Sequence, residues 1–247
     1  MLMACLGNRK TTITNAAKEP EIVDLQKFLN KMGAKIKGAG SSIIEIAGVK
    51  KLKEVSYNIM PDRIEAGTFL CLATITKSNI KILNVEPADI TSLINKLEEM
   101  GCRLIIQKNQ IEVFPTKKLK SVNIKTMPYP GFPTDMQSII GSVLATAKGA
   151  SVIVENVFEN RYKYTQELIR MGAKIIIDGR TAIIKGVRKL SGTNVEATDL
   201  RGGAALVIAG LSAKGVTIVD NADYILRGYE NIDKKLKQIG ANIEFIK

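Results

Sequence analysis

Four copies of one helix ending constrain this chain more than any other feature. The segments Met32-Gly33-Ala34, Met100-Gly101-Cys102, Met171-Gly172-Ala173 and Ile239-Gly240-Ala241 set a glycine after an apolar residue, at spacings of 68, 71 and 68 residues. A repeat is sought before single motifs are weighed, and this one is too regular to be incidental. One, four and eight residues before each glycine stand Met32, Leu29 and Leu25; Met100, Leu97 and Leu93; Met171, Leu168 and Tyr164; and Ile239, Leu236 and Ile232. That spacing is a single apolar stripe down a short helix. The glycine fits a helix C-cap, because a residue without Cβ enters the left-handed region cheaply. Beyond it, Ile36, Leu104, Ile175 and Ile243 are the expected inward residues of the next strand.

Before each striped helix runs a short alternating segment ending in Asn: Thr12 to Asn15, Ile80 to Asn84, Ser151 to Asn156 and Thr217 to Asn221. Period-two alternation marks a half-buried strand. Upstream of that strand lies a second kind of helix, rich in Ala, Gly and Ser: Asp62 to Ile75, Asp135 to Ala147 and Asp199 to Ala213. Small residues suit close packing on several sides, so these helices belong inside and the Lys-rich ones outside. A complete unit then reads strand, buried helix, strand, outer helix, strand, strand. The fold class is α/β, with units from about Val55 to Phe114, Ser121 to Ile184 and Asn194 to Ile246, and turn signals at Gly48, Pro115 and Gly186. Met1 to Leu6 resembles only the tail of a buried helix, and the last unit stops one strand short, so about three and a half units are expected. Residues 1–52 are read as the remnant of one domain and 53–247 as a second domain of three units. A missing strand leaves unpaired backbone at a sheet edge, which asks for a partner segment.

Composition narrows the chemistry. The chain has no His, and its three Cys (Cys5, Cys71, Cys102) show neither ligand spacing nor the density of a disulfide-built domain,. No metal or cofactor is therefore expected, and any chemistry falls to Asp, Glu, Lys, Arg, Tyr or Cys. No apolar run reaches the roughly 18 residues of a membrane span, and the first residues lack the basic lead of a secretory signal; a cytoplasmic protein without membrane contact is expected. The formal charge of +12 permits nucleic acid as a partner,. The excess is mostly Lys spread over helix faces, with no dense basic block or aromatic platform, so nucleic acid is not expected.

The candidate site gathers around Tyr129 to Arg161. Asp62, Asp135 and Asp199 stand at the starts of the three buried helices, where a carboxylate accepts free N–H groups,; capping is one reading of each, function the other. Asp135 stands out because Pro130-Gly131-Phe132-Pro133 fixes the chain leading to it,. Arg63, Arg161, Arg201 and Arg227 lie near helix starts or just past strands. Converging guanidinium groups and helix N-termini suit an anion bearing phosphate or carboxylate; surface ion pairs are the alternative. Pro20 and Glu21 suit a helix start and are read as structural. Tyr129, Tyr229 and Phe158 are as suited to packing loops as to touching a ligand.

Several longer stretches carry a family resemblance. They are Asn15-Ala16-Ala17-Lys18-Glu19-Pro20-Glu21-Ile22-Val23-Asp24, Pro61-Asp62-Arg63-Ile64-Glu65 and Pro130-Gly131-Phe132-Pro133-Thr134-Asp135-Met136-Gln137, then Phe158-Glu159-Asn160-Arg161, Ala197-Thr198-Asp199-Leu200-Arg201 and Arg227-Gly228-Tyr229-Glu230. Over essentially its whole length the chain resembles the UDP-N-acetylglucosamine 1-carboxyvinyltransferase branch of the enolpyruvyl transferase family. The resemblance implies two domains of three units each with the active site in the cleft between them. It also implies UDP-N-acetylglucosamine and phosphoenolpyruvate as substrates and a place in peptidoglycan synthesis. By resemblance Asp135 contacts the sugar hydroxyl and serves as its base, Val157 lines the nucleotide-sugar pocket, and Arg161 supports the cleft. Asp199 corresponds to a second functional carboxylate, and Arg201 and Arg227 to the groups that hold phosphoenolpyruvate. Shikimate-pathway relatives share the fold and phosphoenolpyruvate, but Pro-Gly-Phe-Pro-Thr-Asp favours the nucleotide-sugar branch.

The chain resembles only the portion of that family after the first domain's mobile catalytic loop. The Lys-Asn pair, the loop with the general-acid Cys and its arginines have no counterpart here, and Cys5, Cys71 and Cys102 match no such loop. A separate amino-terminal half completes the site, or the sequence is a truncated piece of a full-length enzyme, or the chain is an inactive truncated paralogue or gene remnant that binds a nucleotide sugar or an intact transferase. By itself the chain is expected to show negligible turnover: phosphate release from phosphoenolpyruvate with UDP-N-acetylglucosamine should stay far below the roughly 1–10³ s⁻¹ of typical enzymes, and a rate in that range would overturn the expectation.

Overall fold

The four repeat glycines all take the left-handed backbone, with φ of 101° at Gly33, 99° at Gly101, 93° at Gly172 and 91° at Gly240. Each closes its helix in the same way. Gly172 N–H donates to the Ile169 carbonyl at 2.8 Å and Ala173 N–H to the Leu168 carbonyl at 2.9 Å, and the other three endings repeat the pair. Two orphan carbonyls are thus satisfied per helix. In the computed structural model, which describes residues 1–246, the chain forms two units, Met1–Pro61 with Pro128–Gly131, and Asp62–Met127 with Phe132 onward.

The first unit runs α1 (Leu2–Cys5), β1 (Lys10–Thr14), α2 (Pro20–Lys31), β2 (Lys35–Lys37) and β3 (Ile43–Ala47). Its antiparallel sheet has the order β1-β3-β2, with Ile13 opposite Ile44 and Ile36 opposite Ile46. Cys5, Leu29, Ile36, Ile44 and Ile46 form its buried cluster. Pro20 opens α2 and Glu21 lies in its first turn, as the sequence implies.

The second unit holds α3 (Arg63–Thr76), β4 (Ile80–Leu83), α4 (Thr91–Glu99), β5 (Arg103–Gln107) and β6 (Gln110–Phe114). It continues with β7 (Ile124–Lys125), α5 (Gln137–Leu144), β8 (Ala150–Val154), α6 (Tyr164–Arg170), β9 (Lys174–Asp178) and β10 (Thr181–Lys185). The last elements are β11 (Asn194–Glu196), α7 (Leu200–Ser212), β12 (Ile218–Asp220), α8 (Asp223–Leu226) and α9 (Ile232–Gln238). The strands form sheets of order β4-β6-β5, β7-β8-β10-β9 and β11-β12, with β7 parallel to β8 and β11 parallel to β12. The small-residue helices α3, α5 and α7 pack on one another pairwise in the middle. Their close approach is visible where Ser142 Oγ donates to the Ala205 carbonyl at 2.9 Å. Leu93 and Leu97 of α4, Leu168 of α6 and Leu236 of α9 turn the apolar stripe inward against the same core.

Three expectations are corrected. The opening strand expected from Val55 does not form: residues 51–62 carry no strand. Nor does a strand follow Gly240, for residues 241–246 have no ladder partner although Ala241 and Ile243 still pack against the core. The helix expected from Asp135 begins only at Gln137, after a 3₁₀ turn over Thr134–Met136. A strand is held by its neighbour rather than by its own pattern, so the unpaired segments stay irregular. Among the described residues no helix is long and apolar enough to cross a membrane.

Two glycines separate backbone strain from crowding. An added Cβ at Gly172 would meet nothing within 4 Å, whereas at Gly141 it would fall 2.3 Å from the buried Tyr164 hydroxyl. Gly172→Ala should therefore cost about 1 kcal/mol from its positive φ alone. Gly141→Ala should cost about 1–3 kcal/mol from overpacking. Urea unfolding should rank the two in that order.

Candidate active site

Asp62 and Asp199 cap their helices. Asp62 Oδ1 accepts the N–H groups of Ile64 and Glu65 at 2.8 and 3.1 Å, and Asp199 Oδ1 those of Arg201 and Gly202 at 3.0 and 2.8 Å. Each carboxylate is thereby fixed at the positive end of a buried helix. Asp135, for which capping and function were both open from sequence, caps nothing. It sits inside the 3₁₀ turn, and its two oxygens are taken by guanidinium groups instead. Arg161 Nη2 donates to Oδ1 at 3.0 Å and Arg201 Nη2 to Oδ2 at 3.3 Å. The burial is uneven: the Arg161 and Arg201 side chains are 9% and 15% exposed, that of Asp135 41%. One buried and one largely buried cation therefore hold a carboxylate whose remaining edge faces solvent.

Both arginines are held in turn. Arg161 Nε donates to Thr134 Oγ1 at 3.1 Å, and its guanidinium lies 4.5 Å from the Phe158 ring centre. Arg201, second residue of α7, lies 5.4 Å from the ring centre of Tyr229. Burial opposes the Arg201 charge, but Tyr229, Asp135 and Asp62 outweigh it and hold the pKa above the ordinary arginine value. Tyr229 is fully buried, and its hydroxyl shares a 2.8 Å hydrogen bond with Thr68 Oγ1. Burial pushes that hydroxyl's pKa up, against the pull of Arg201. Tyr229 thus packs and steadies the guanidinium rather than lying open in the loop.

The structure brings Asp135, Arg161 and Arg201 into one connected group, with Asp199 at the start of the helix that carries Arg201. Arg227 directly follows α8 as an exposed residue and takes no part in the Asp135 ion pairs. Its neighbour Gly228 lies against Leu200 at the start of α7, which keeps the Arg227 backbone at that helix end. Val157 is exposed, and its N–H donates to Glu155 Oε1 at 2.8 Å. Arg63 is buried at the first turn of α3. Cys5, Cys71 and Cys102 are buried free thiols, and burial pushes Cys71 and Cys102 up, which suits packing rather than reactivity,.

Sequence reasoning missed Thr134 and Glu155. Glu155 is 2% exposed and accepts four hydrogen bonds, from Thr126, Thr134, Val157 and Phe158. The available signal was parity: Ser151 and Ile153 face inward, so the acidic residue at 155 falls on the buried side,. A carboxylate there must be paired with donors.

Comparison with known proteins places the chain. The family described as EPSP synthase (3-phosphoshikimate 1-carboxyvinyltransferase) matches residues 1–236. The chain is 53% identical over 244 residues to UDP-N-acetylglucosamine 1-carboxyvinyltransferase 2 of Caldanaerobacter subterraneus subsp. tengcongensis, covering 98% of this chain and 58% of the relative. It is 54% identical over 246 residues to the protein of that name from Carboxydothermus hydrogenoformans, covering 99% and 59%. The chain thus spans less than two thirds of the length of these relatives. Among solved structures, the enolpyruvyl transferase NikO from Streptomyces tendae superposes with a TM-score of 0.88 at 27% identity, over 98% of this chain and 58% of that one. EPSP synthase from Acinetobacter baumannii shares the fold, with a TM-score of 0.77 at 20% identity over 100% and 60%. The mixed α/β architecture expected from the repeat is the enolpyruvyl transferase fold, and on the match over residues 1–236 the chain belongs to the EPSP synthase family.

Proposed function

We propose that this chain carries the part of an enolpyruvyl transferase that binds UDP-N-acetylglucosamine and positions phosphoenolpyruvate. The reaction moves the enolpyruvyl group onto the sugar 3-hydroxyl and releases phosphate, the first committed step of peptidoglycan synthesis, on which cell shape and division depend. In this reading residues 1–52 close a first domain, residues 53–247 form the second, a complementing amino-terminal half supplies the general acid, and the enzyme works in the cytoplasm. The relatives' names support the substrates. The observation that carries the reading is Asp135, held through both oxygens by largely buried arginines yet open along one edge.

That geometry suits a base for a hydroxyl. Asp135 cannot swing away, because each oxygen is tied to a guanidinium that is itself packed. A bound sugar hydroxyl donates to its open edge and passes its proton there as the oxygen attacks the enolpyruvyl carbon. Arg201, with Arg227 at the same helix end, offers planar donors to the carboxylate and phosphate of phosphoenolpyruvate, and Asp199 keeps the Arg201 backbone in place,. Fixed positive groups favour the charge that develops as phosphate leaves the tetrahedral intermediate. Val157 lines the sugar side, and Arg161 holds Asp135 in register.

Two measurements test this. Calorimetry of the chain with UDP-N-acetylglucosamine should show binding that Asp135→Asn or Arg161→Lys weakens about tenfold or more, since each removes a charge-assisted or forked contact. Unchanged affinity in both variants would sink the assignment. In a transferase of full length bearing these residues, Asp135→Asn should lower kcat by about 10²–10⁴, read as phosphate release.

A further inference from the structure

Glu155 lies one residue past β8 and makes no direct contact with Asp135, Arg161 or Arg201, yet it is buried and accepts four hydrogen bonds within the site. Its Oε1 accepts the Thr126 hydroxyl at 2.7 Å and the N–H groups of Val157 and Phe158 at 2.8 and 2.9 Å. Its Oε2 accepts the Thr134 hydroxyl at 3.0 Å. Thr126 is itself locked, because its hydroxyl oxygen accepts the Asn156 N–H at 2.9 Å and its own N–H donates to the Val154 carbonyl at 2.9 Å.

The direction of each bond follows from chemistry. An ionised carboxylate only accepts, so Thr134 must donate its hydroxyl proton to Glu155 and turn its lone pairs outward. One of those lone pairs receives Arg161 Nε–H at 3.1 Å. On the other side, Glu155 holds the backbone of Phe158, whose ring supports the same guanidinium. With Nε and one face both fixed, the planar fork has one direction left for Nη2, and it ends on Asp135 Oδ1 at 3.0 Å.

We propose that Glu155 is a positioning residue for the transferase reaction: it holds Arg161 from two sides, through the Thr134 hydroxyl and through Phe158, and so sets the orientation of Asp135. The proposal rests on the reading of Asp135 as the sugar-hydroxyl base. It explains why a charge occupies this buried place, since no neutral side chain of similar size accepts on both oxygens. Glu155→Gln keeps the shape but puts an amide donor where Oε2 stood, if its oxygen stays with the three donors at Oε1. The Thr134 proton then loses its acceptor, and the Arg161 anchor loosens without a change of packing.

Arginine side-chain NMR on this chain reads the effect directly. The Arg161 Nε–H signal, identified by its loss in Arg161→Lys, should exchange slowly with solvent in the wild type. Glu155→Gln and Thr134→Ala should each speed that exchange about tenfold or more, and Thr134→Ser, which keeps the hydroxyl, should stay close to wild type. The double variant should add little to either single one, because the two residues act in series. Thermal melts followed by circular dichroism should show both single variants folded. Lower melting temperatures with the Arg161 signal unchanged would mean a merely structural carboxylate and would overturn the proposal. UDP-N-acetylglucosamine binding to the same variants separates the two layers. If affinity falls about tenfold along with the faster exchange, both stand. If the wild type binds no nucleotide sugar, the pocket assignment fails while the exchange comparison still decides whether Glu155 positions Arg161.

Discussion

The close packing of α3, α5 and α7 is the constraint on which the second unit depends. Helices whose facing residues are Ala, Gly and Ser approach closely, at or below the usual 8–10 Å between axes. Here the contact is near enough for Ser142 on one helix to bond a carbonyl of another, and Gly141 of α5 and Gly202 of α7 both leave room for Tyr164 of α6. Once the three axes run side by side, their first turns gather at one place. Asp62 and Asp135 then both act on Arg201 although more than sixty residues of chain separate each of them from it. Side chains of ordinary size on these faces would push the helix starts apart and leave each charged group alone.

One residue type does two different jobs within that cluster, and backbone shape decides which. Where the chain enters the helix from an extended residue, as at Asp62 and Asp199, the carboxylate folds back on the first free N–H groups. Where a 3₁₀ turn comes first, as at Asp135, those N–H groups are not presented to it, and the side chain projects toward the arginines. A cap is self-contained and stabilises its own helix. Asp135 depends on residues from α7 and from the turn after β8, so its geometry exists only when the whole unit is assembled.

Much of this was legible in the sequence. The glycine spacing located the outer helices and their left-handed endings, and small-residue composition separated inner from outer helices. Alternation found the strands that have partners. It failed at residues 51–62 and 241–246, because pairing is a property of the neighbour and no local pattern supplies one. The site was legible by residue type and not by bonding. Asp135, Arg161 and Arg201 could be named, but not the exchange of a helix cap for two ion pairs. Glu155 was overlooked because an acidic residue at a strand end reads as a solvated turn unless its parity is followed inward. Arg227 shows the opposite limit: placement near a helix end fixed its neighbourhood but not its contacts.

The strand-end asparagines carry a last consequence. Asn15, Asn84 and Asn221 all take positive φ, at 52°, 54° and 58°, and Asn156 in the third copy does not. There the chain leaves its strand on the Glu155 side chain, which gathers the N–H groups of Val157 and Phe158, rather than on a left-handed backbone. Three copies turn on a left-handed Asn, and the third in chain order turns on a carboxylate staple whose Oε2 holds Thr134, the residue before Asp135. Repeated architecture of this kind lets a single corner differ without disturbing the rest, since every copy closes its own helix on its own glycine.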